Sequence, residues 1–147
     1  RETMKHVPPS NVSFESIGKV RKIDDLGERL RVWVHQNDRA ARYVWHTLAF
    51  LFSYASDCVP EISDDILSID RAMRWGYMME AGPFECWDML GVPDAVDRME
   101  SDGYIVAPWV RDMLRAGHTS FYRLSPDGRQ KYDPLTCEYV PIDELLN

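Results

Sequence analysis

Apolar positions recur along most of this chain at the three- and four-residue spacing of an amphipathic helix, and glycines and prolines cut the pattern into short lengths. In DDLGERLRVWVHQ, Asp25 offers an N-cap with Glu28 three residues on, and Leu26, Leu30 and Val34 follow on one face. That predicts a first helix, weakened by Gly27 and the valines. Between Asp38 and Asp57, the positions Ala41, Val44, Leu48, Leu51 and Ala55 form a stripe that Trp45, Phe50, Phe52 and Tyr54 extend around the cylinder. A helix so broadly apolar is expected to be buried on several sides. Ser63 is the expected cap of the next helix, with Asp64 and Asp65 in its first turn, Ile62 stapled against Leu67, and Ile66, Ile69, Met73 and Tyr77 facing the core.

That helix runs into RWGYMMEAGPFECWDMLG, residues 74–91. Gly82 is expected to end it in the left-handed conformation, and Pro83 to begin the following one, whose buried side is Phe84, Trp87 and Leu90. On this reading Gly82→Val is expensive because a β-branched side chain disfavours positive φ, whereas Glu85→Gln is cheap. Gly91 stops that helix, and Pro93 starts another carrying Val96 and Met99, which Asp102-Gly103 ends. A last short helix from Pro108 is expected to bury Trp109, Met113 and Leu114 and to stop at Gly117. Beyond it, FYRLSPDGRQKYDPLTCEYVPI places aromatic and β-branched positions around a Ser125-Pro126-Asp127-Gly128 turn. The expected fold class is therefore all-α, a helical bundle closed by a small C-terminal β-hairpin or arm. No internal repeat or low-complexity tract interrupts it.

Composition adds limits. The 147 residues suit one core, and 45% hydrophobic with 28% charged residues is the balance of a folded globular chain. With 24 acidic and 17 basic residues, a net charge of -7 and a pI near 5.0, the chain as a whole repels polyanions, which argues against nucleic acid. Cys58, Cys86 and Cys137 are odd in number and widely spaced, suiting neither a disulfide framework nor a zinc site and pointing to reduced thiols in a cytoplasmic setting. The densest apolar run, residues 43–55, is broken by His46 and falls short of the ~20 residues a membrane span needs, so it is expected to be a core helix. An opening at Arg1 followed by HVPPSN reads as a piece excised from a longer protein.

Several side chains could carry chemistry. Glu80, Glu85 and Asp88 could supply the acid and base of a carboxylate-dependent hydrolase. Against that, Glu85 lies in a first turn, where it complements the helix dipole, and Asp88 can bond backbone donors at the corner. His46 is either a satisfied core histidine or a metal ligand, and it lacks partners at ligand spacing. His118, in a loop after a helix stop, is either an exposed loop residue or a functional one. Cys86 faces a Trp-rich helix without a nearby histidine and is expected to be inert. Asp70 and Arg74, four residues apart, read as a surface pair. The basic run Lys19, Arg21 and Lys22, and the free N–H groups at the helix starting with Pro83, could each hold an anion.

The order ARYVW, then LFSYASDCVPEISDDILSIDRAMRWGYMMEAGPFECWDMLGV, then MLRAG and FY resembles the C-terminal helical region of 3-hydroxyacyl-CoA dehydrogenases, in its second copy within long multidomain enzymes. The resemblance covers residues 38–122, and its most specific part is IDRAMRWG followed by GPFECWDMLG. It implies a bundle similar to the C-terminal domain of 6-phosphogluconate dehydrogenase, divided as a lead-in over 1–37, the helical domain over 38–117 and the arm over 118–147. It implies a parent enzyme that oxidises L-3-hydroxyacyl-CoA with NAD in fatty-acid β-oxidation. The partners implied are an NAD-binding domain, a first helical copy and the acyl-CoA substrate, whose CoA phosphate the Lys19–Lys22 run could meet. No GxGxxG turn and no segment matching the family's catalytic His-Glu pair occurs here, so no catalytic, cofactor-binding or metal residue carries over. What does carry over is a structural motif: Gly82, Pro83, Phe84, Asp88 and Gly91. The resemblance implies that single-copy members dimerise through their helical domains, so this piece, lacking its sister copy, is expected to form a homodimer through residues 43–55 with Trp87 or Trp109. The bland alternative has the arm, residues 121–142, folding back over that surface. A non-catalytic interaction module is the alternative function.

Overall fold

The computed structural model describes residues 12–143. Among them are seven helices followed by a three-stranded antiparallel sheet. Helix α1, Glu15–Val20, was not signalled by the sequence, because ESIGKV contains a glycine and Phe14 offers no side-chain cap. Tertiary bonds hold it instead: the Ser16 N–H and hydroxyl both donate to the Asp38 carboxylate, at 2.8 and 2.7 Å. The same carboxylate accepts from the Ala41 N–H at 2.9 Å and so caps α3, Arg39–Asp57. The Ala41 bond and those from Ser16 hold Asp38 below the usual carboxylate range. Helix α2, Leu26–Val34, starts as expected, with Asp25 accepting from the Glu28 N–H at 2.8 Å.

Helix α3 buries Ala41, Trp45, Leu48, Ala49, Phe52 and Ala55 on one side only. Tyr43, Phe50 and Tyr54 are 73%, 65% and 60% exposed, so burial on several sides is corrected to burial on one. Helix α4, Ile66–Tyr77, is capped by Asp65, whose side chain accepts from the Leu67 N–H, and not by Ser63. The Ser63 hydroxyl accepts from the Asp65 N–H, two residues too early to cap. Ile62 is exposed and makes no staple, and Tyr77 is exposed rather than in the core.

Three prolines then sit in the first turns of α5, Pro83–Leu90, α6, Val92–Ser101, and α7, Pro108–Arg115, where a missing N–H costs nothing. Strands β1, Tyr122–Ser125, β2, Gly128–Asp133, and β3, Glu138–Pro141, follow in the order β1-β2-β3. Ser125 pairs with Gly128 across the expected turn. The third strand extends the anticipated hairpin: after β2, Asp133 accepts from the Leu135 N–H and the Thr136 hydroxyl, and Cys137 takes a positive φ of 59°, which turns the chain back. DPLTC reads as loop in sequence because these bonds are local to a turn.

An aromatic cluster joins helices to sheet. Phe52 stacks on Trp87 at 4.9 Å, Phe84 meets Phe121 edge-on at 4.9 Å, and Trp109 stacks on Tyr132 at 6.3 Å. The sheet thus covers Trp109, and Trp87 is fully buried, so neither belongs to an exposed patch. Val110 of α7, unanticipated, is buried too. Among the described residues no helix is long and apolar enough to cross a membrane.

Candidate functional site

The corner between α4 and α5 is tighter than a turn signal implies. Gly82 has φ -76° and ψ 173°, ordinary extended backbone, and the left-handed residue that ends α4 is Met78 with φ 53°. Glycine is required at 82 for another reason: a Cβ there would fall onto the backbone and side chain of Asp70. The first turn of α5 therefore lies directly against α4. Asp70 is fully buried, and its carboxylate accepts from the Phe84 N–H at 2.9 Å and from the Tyr122 hydroxyl at 2.6 Å. Asp88, on the next face of α5, accepts from the N–H groups of Phe121 and Tyr122 at 2.8 and 2.9 Å. One carboxylate from each helix thus grips the start of β1.

Burial pushes Asp70 up to about 7, with the Glu85 charge adding, against the pull of the Tyr122 and Phe84 bonds. Asp88 is pushed up to about 6 by burial, which outweighs its two backbone donors. Burial also drives the Tyr122 phenol far above its ordinary range, with the Asp70 charge and hydrogen bond adding. The Cys86 thiol is pushed up to about 12 by burial and neighbouring carboxylates, so it is no nucleophile at neutral pH. Each carboxylate oxygen of Asp70 and Asp88 accepts from a protein donor. The chemistry of this cluster is anchoring.

The Asp70–Arg74 surface pair is corrected: Asp70 is inside, and Arg74 pairs with Glu85 at 3.4 Å. Glu85 also accepts from the Gly82 N–H at 3.4 Å, so the donors at the start of α5 are already engaged by Glu85 and Asp70. His46 is exposed rather than a core residue, and its Nδ1 lies 2.8 Å from the Tyr104 hydroxyl. His118 is half-buried against the rings of Tyr132 and Tyr139, not an exposed loop residue. Lys19 pairs with Glu15 at 2.9 Å. Among the described residues no group of three His, Cys, Asp or Glu is placed to hold a metal.

Beside the corner lies a cleft of about 540 Å³ between α4 and the sheet, lined by Leu67, Arg71, Arg74 and Trp75 from α4 and by Tyr122 and Arg129 from the strands. Met79, Glu80, Glu85 and Ile142 complete it. Glu80 and Asp88 do not meet there, since Asp88 faces β1. The cleft escaped the sequence reading, although Leu67, Arg71, Arg74 and Trp75 fall at helical spacing on one face.

No family model and no solved structure matches the chain. It is 35% identical, over 94 residues, to a protein of Bacillus subtilis strain 168 named as a probable 3-hydroxyacyl-CoA dehydrogenase, covering 64% of this chain and 12% of that protein. It is 28% identical over 75 residues to a Rickettsia prowazekii strain Madrid E protein provisionally named as a trifunctional enzyme of the fatty acid oxidation complex, covering 51% of this chain and 10% of that one. The chain thus spans only 10–12% of the length of these curated relatives, and it is homologous to a segment of proteins named for 3-hydroxyacyl-CoA dehydrogenation and fatty acid oxidation.

Proposed function

We propose that this chain is a helical domain of an NAD-dependent L-3-hydroxyacyl-CoA dehydrogenase of fatty-acid β-oxidation, contributing packing and part of the acyl-CoA cleft while catalysis resides elsewhere in a parent protein. The observation that carries the reading is the 94-residue similarity, at 35% identity, to the Bacillus subtilis protein. The domain spans residues 38–117, in a bundle similar to the C-terminal domain of 6-phosphogluconate dehydrogenase and set in the cytoplasm. Gly82, Pro83, Phe84, Asp88 and Gly91 serve it as architecture, in keeping with a corner where Asp70 and Asp88 both accept from protein donors. NAD and the proton-transferring residues belong to the parent's nucleotide-binding domain, since the chain lacks a glycine-rich phosphate-cradling turn.

A second reading, a non-catalytic interaction module, is favoured by the exposed row Tyr43, Phe50 and Tyr54 on α3. Under the first reading the same row is where a sister copy, or a second chain in a homodimer, would dock. The test is turnover of L-3-hydroxybutyryl-CoA with NAD by the purified chain and by the full-length reading frame. The expected result is NADH from the full-length protein only. Turnover by the chain alone overturns the placement of catalysis, and none from a folded full-length protein leaves the interaction module.

A further inference from the structure

The three-stranded sheet is internally complete and is seated on the helices by few residues. Strand β1 pairs with β2, and β2 with β3, at four positions each. Arg123 ties the three strands together, donating to Gln130 at 2.6 Å and lying 4.0 Å from the ring centre of Tyr139. Residues 118–120, which join the sheet to α7, have no regular structure and are tied to the strands: His118 packs on Tyr132 and Tyr139, and the Ser120 carbonyl accepts from the Tyr139 hydroxyl at 2.7 Å. Before them Gly117 takes a φ of 88°, with nothing within 4 Å of the place a Cβ would occupy. A glycine in open space at this junction is a joint on which the sheet can turn.

What seats the sheet is Phe121 and Tyr132, buried against Phe84 and Trp109, the 2.8 Å pair of Lys131 with Asp65, and the bonds that Asp88 and Asp70 take from Phe121 and Tyr122. Asp70 is the one buried Asp, Glu, Lys or Arg among the described residues. The ionisable groups that face it are Tyr122 from β1 and Glu85 and Cys86 from α5, and Glu80 acts on the same Cys86 thiol. Arg74 is engaged by Glu85 at 3.4 Å, and Arg71 and Arg129 line the cleft with Tyr122. Loss of the Asp70 proton therefore sets a second negative charge near Glu85 and away from water, and burial already pushes Asp70 up to about 7. With the proton in place, the carboxyl hydroxyl can donate to the Tyr122 oxygen, and the contact is neutral. Tyr122 also lines the cleft of about 540 Å³, so withdrawing it brings water to Asp70.

We propose that the sheet, residues 121–141, is a flap on the joint at Gly117, held down while Asp70 keeps its proton and released from α4 and α5 when that proton leaves, so that a minor open form uncovers Phe84 and Trp109. The opening is local, because the helices keep contacts of their own, such as the stack of Phe52 on Trp87 at 4.9 Å. Its direction follows from the site. An aspartate with a value of about 7 when closed and about 4 when wet favours opening as pH rises, and the gain is complete once the closed form has itself ionised. The open form should therefore grow by about tenfold or more between pH 5 and pH 7 and level off above pH ~8. The inference rests on the clamp at the corner and not on the dehydrogenase reading.

The test is amide hydrogen exchange of the whole chain from pH 5 to pH 8, with and without urea below the unfolding range, read as protection after correction for the intrinsic rate at each pH. The probes are the N–H groups of Phe121 and Tyr122, whose bonds to Asp88 break when the sheet lifts, and those of Ala49 and Phe52 inside α3 as the reference. The proposal expects Phe121 and Tyr122 to be less protected than the α3 pair by about tenfold or more at pH 8, with little dependence on urea. Their protection should fall by about tenfold or more from pH 5 to pH 7 and then level off, and Asp70→Asn, which keeps an acceptor for Phe84 and cannot ionise, should remove most of that fall. Protection and urea dependence equal to those of α3 would mean that the molecule opens only as a whole, and overturns the proposal. Protection that stays flat from pH 5 to pH 8 overturns it too, and both results are read on the wild-type chain, whether or not the variant folds. The same fall in a folded Asp70→Asn variant removes Asp70 as the trigger and overturns it as well.

Discussion

Helix α5 is closed by a glycine at each end, and the two are there for different reasons. Gly91 has φ 89°, and a Cβ on it would meet nothing within 4 Å. Its glycine is demanded by its own backbone: its N–H donates to the Asp88 carbonyl at 3.1 Å as α5 ends, and its carbonyl accepts from Ala95 at 3.0 Å as α6 begins. Gly82 is the reverse case, with ordinary dihedrals and no room, because Asp70 of α4 occupies the place of a side chain. A local requirement and a tertiary one leave the same letter in the sequence. Only the structure separates them.

The largest effect that would sharpen this contrast is Gly82→Ala. One methyl group placed on Asp70 should cost about 3 kcal/mol in urea melts, without needing the β-branch of valine. Asp88→Ala should follow at about 2 kcal/mol, since it leaves the N–H groups of Phe121 and Tyr122 without their acceptor. Gly91→Ala should cost about 1–2 kcal/mol, from backbone strain alone. If Gly91→Ala proved the costlier glycine change, the distinction between the two ends of α5 would be wrong.

The pH dependence is smaller and has a definite sign. Asp70 and Asp88, with values of about 7 and 6, keep protons in the folded state that the unfolded chain, titrating near 4, has released. The stability they contribute is complete below pH ~4 and is lost as pH rises through 6 and 7. Thermal melts should therefore show a higher Tm at pH 5 than at pH 8, reflecting a stability greater by on the order of 1 kcal/mol or more, and Asp70→Asn should flatten the slope. A Tm that rises from pH 5 to pH 8 would mean the carboxylates are not buried as described. Smallest of all, Glu85→Gln should cost less than ~1 kcal/mol, because the amide oxygen can still accept from Gly82 and the Arg74 pair is partly exposed.

What the sequence made legible was what neighbouring residues decide. Asp25 as the cap of α2, the prolines opening α5 to α7 and the Pro126-Asp127 turn are all set within a few residues, and all are found where expected. What it hid depends on distant partners. Asp70, four residues before Arg74, has the spacing of a surface ion pair, and its burial is decided by Tyr122, 52 positions away. Helix α1 is held by Asp38, 22 positions from Ser16. The exposed side of α3 was misjudged because an aromatic residue facing solvent and one facing the core have identical periodic signatures. The cleft was hidden in the same way, since Arg129 reaches the α4 face only once β2 is folded against it.

The central claim is that the α4–α5 corner and the start of the sheet form one clamped unit, and the contact of Asp70 with Tyr122 is its most exposed test. The measurement is a double-mutant cycle of Asp70→Ala and Tyr122→Phe in urea at pH 8, where the carboxylate is ionised. A clamp at 2.6 Å predicts non-additivity of about 1–2 kcal/mol, the second change costing little once the first is made. Costs that add to within about 0.3 kcal/mol would mean the two side chains act independently, and would contradict the account.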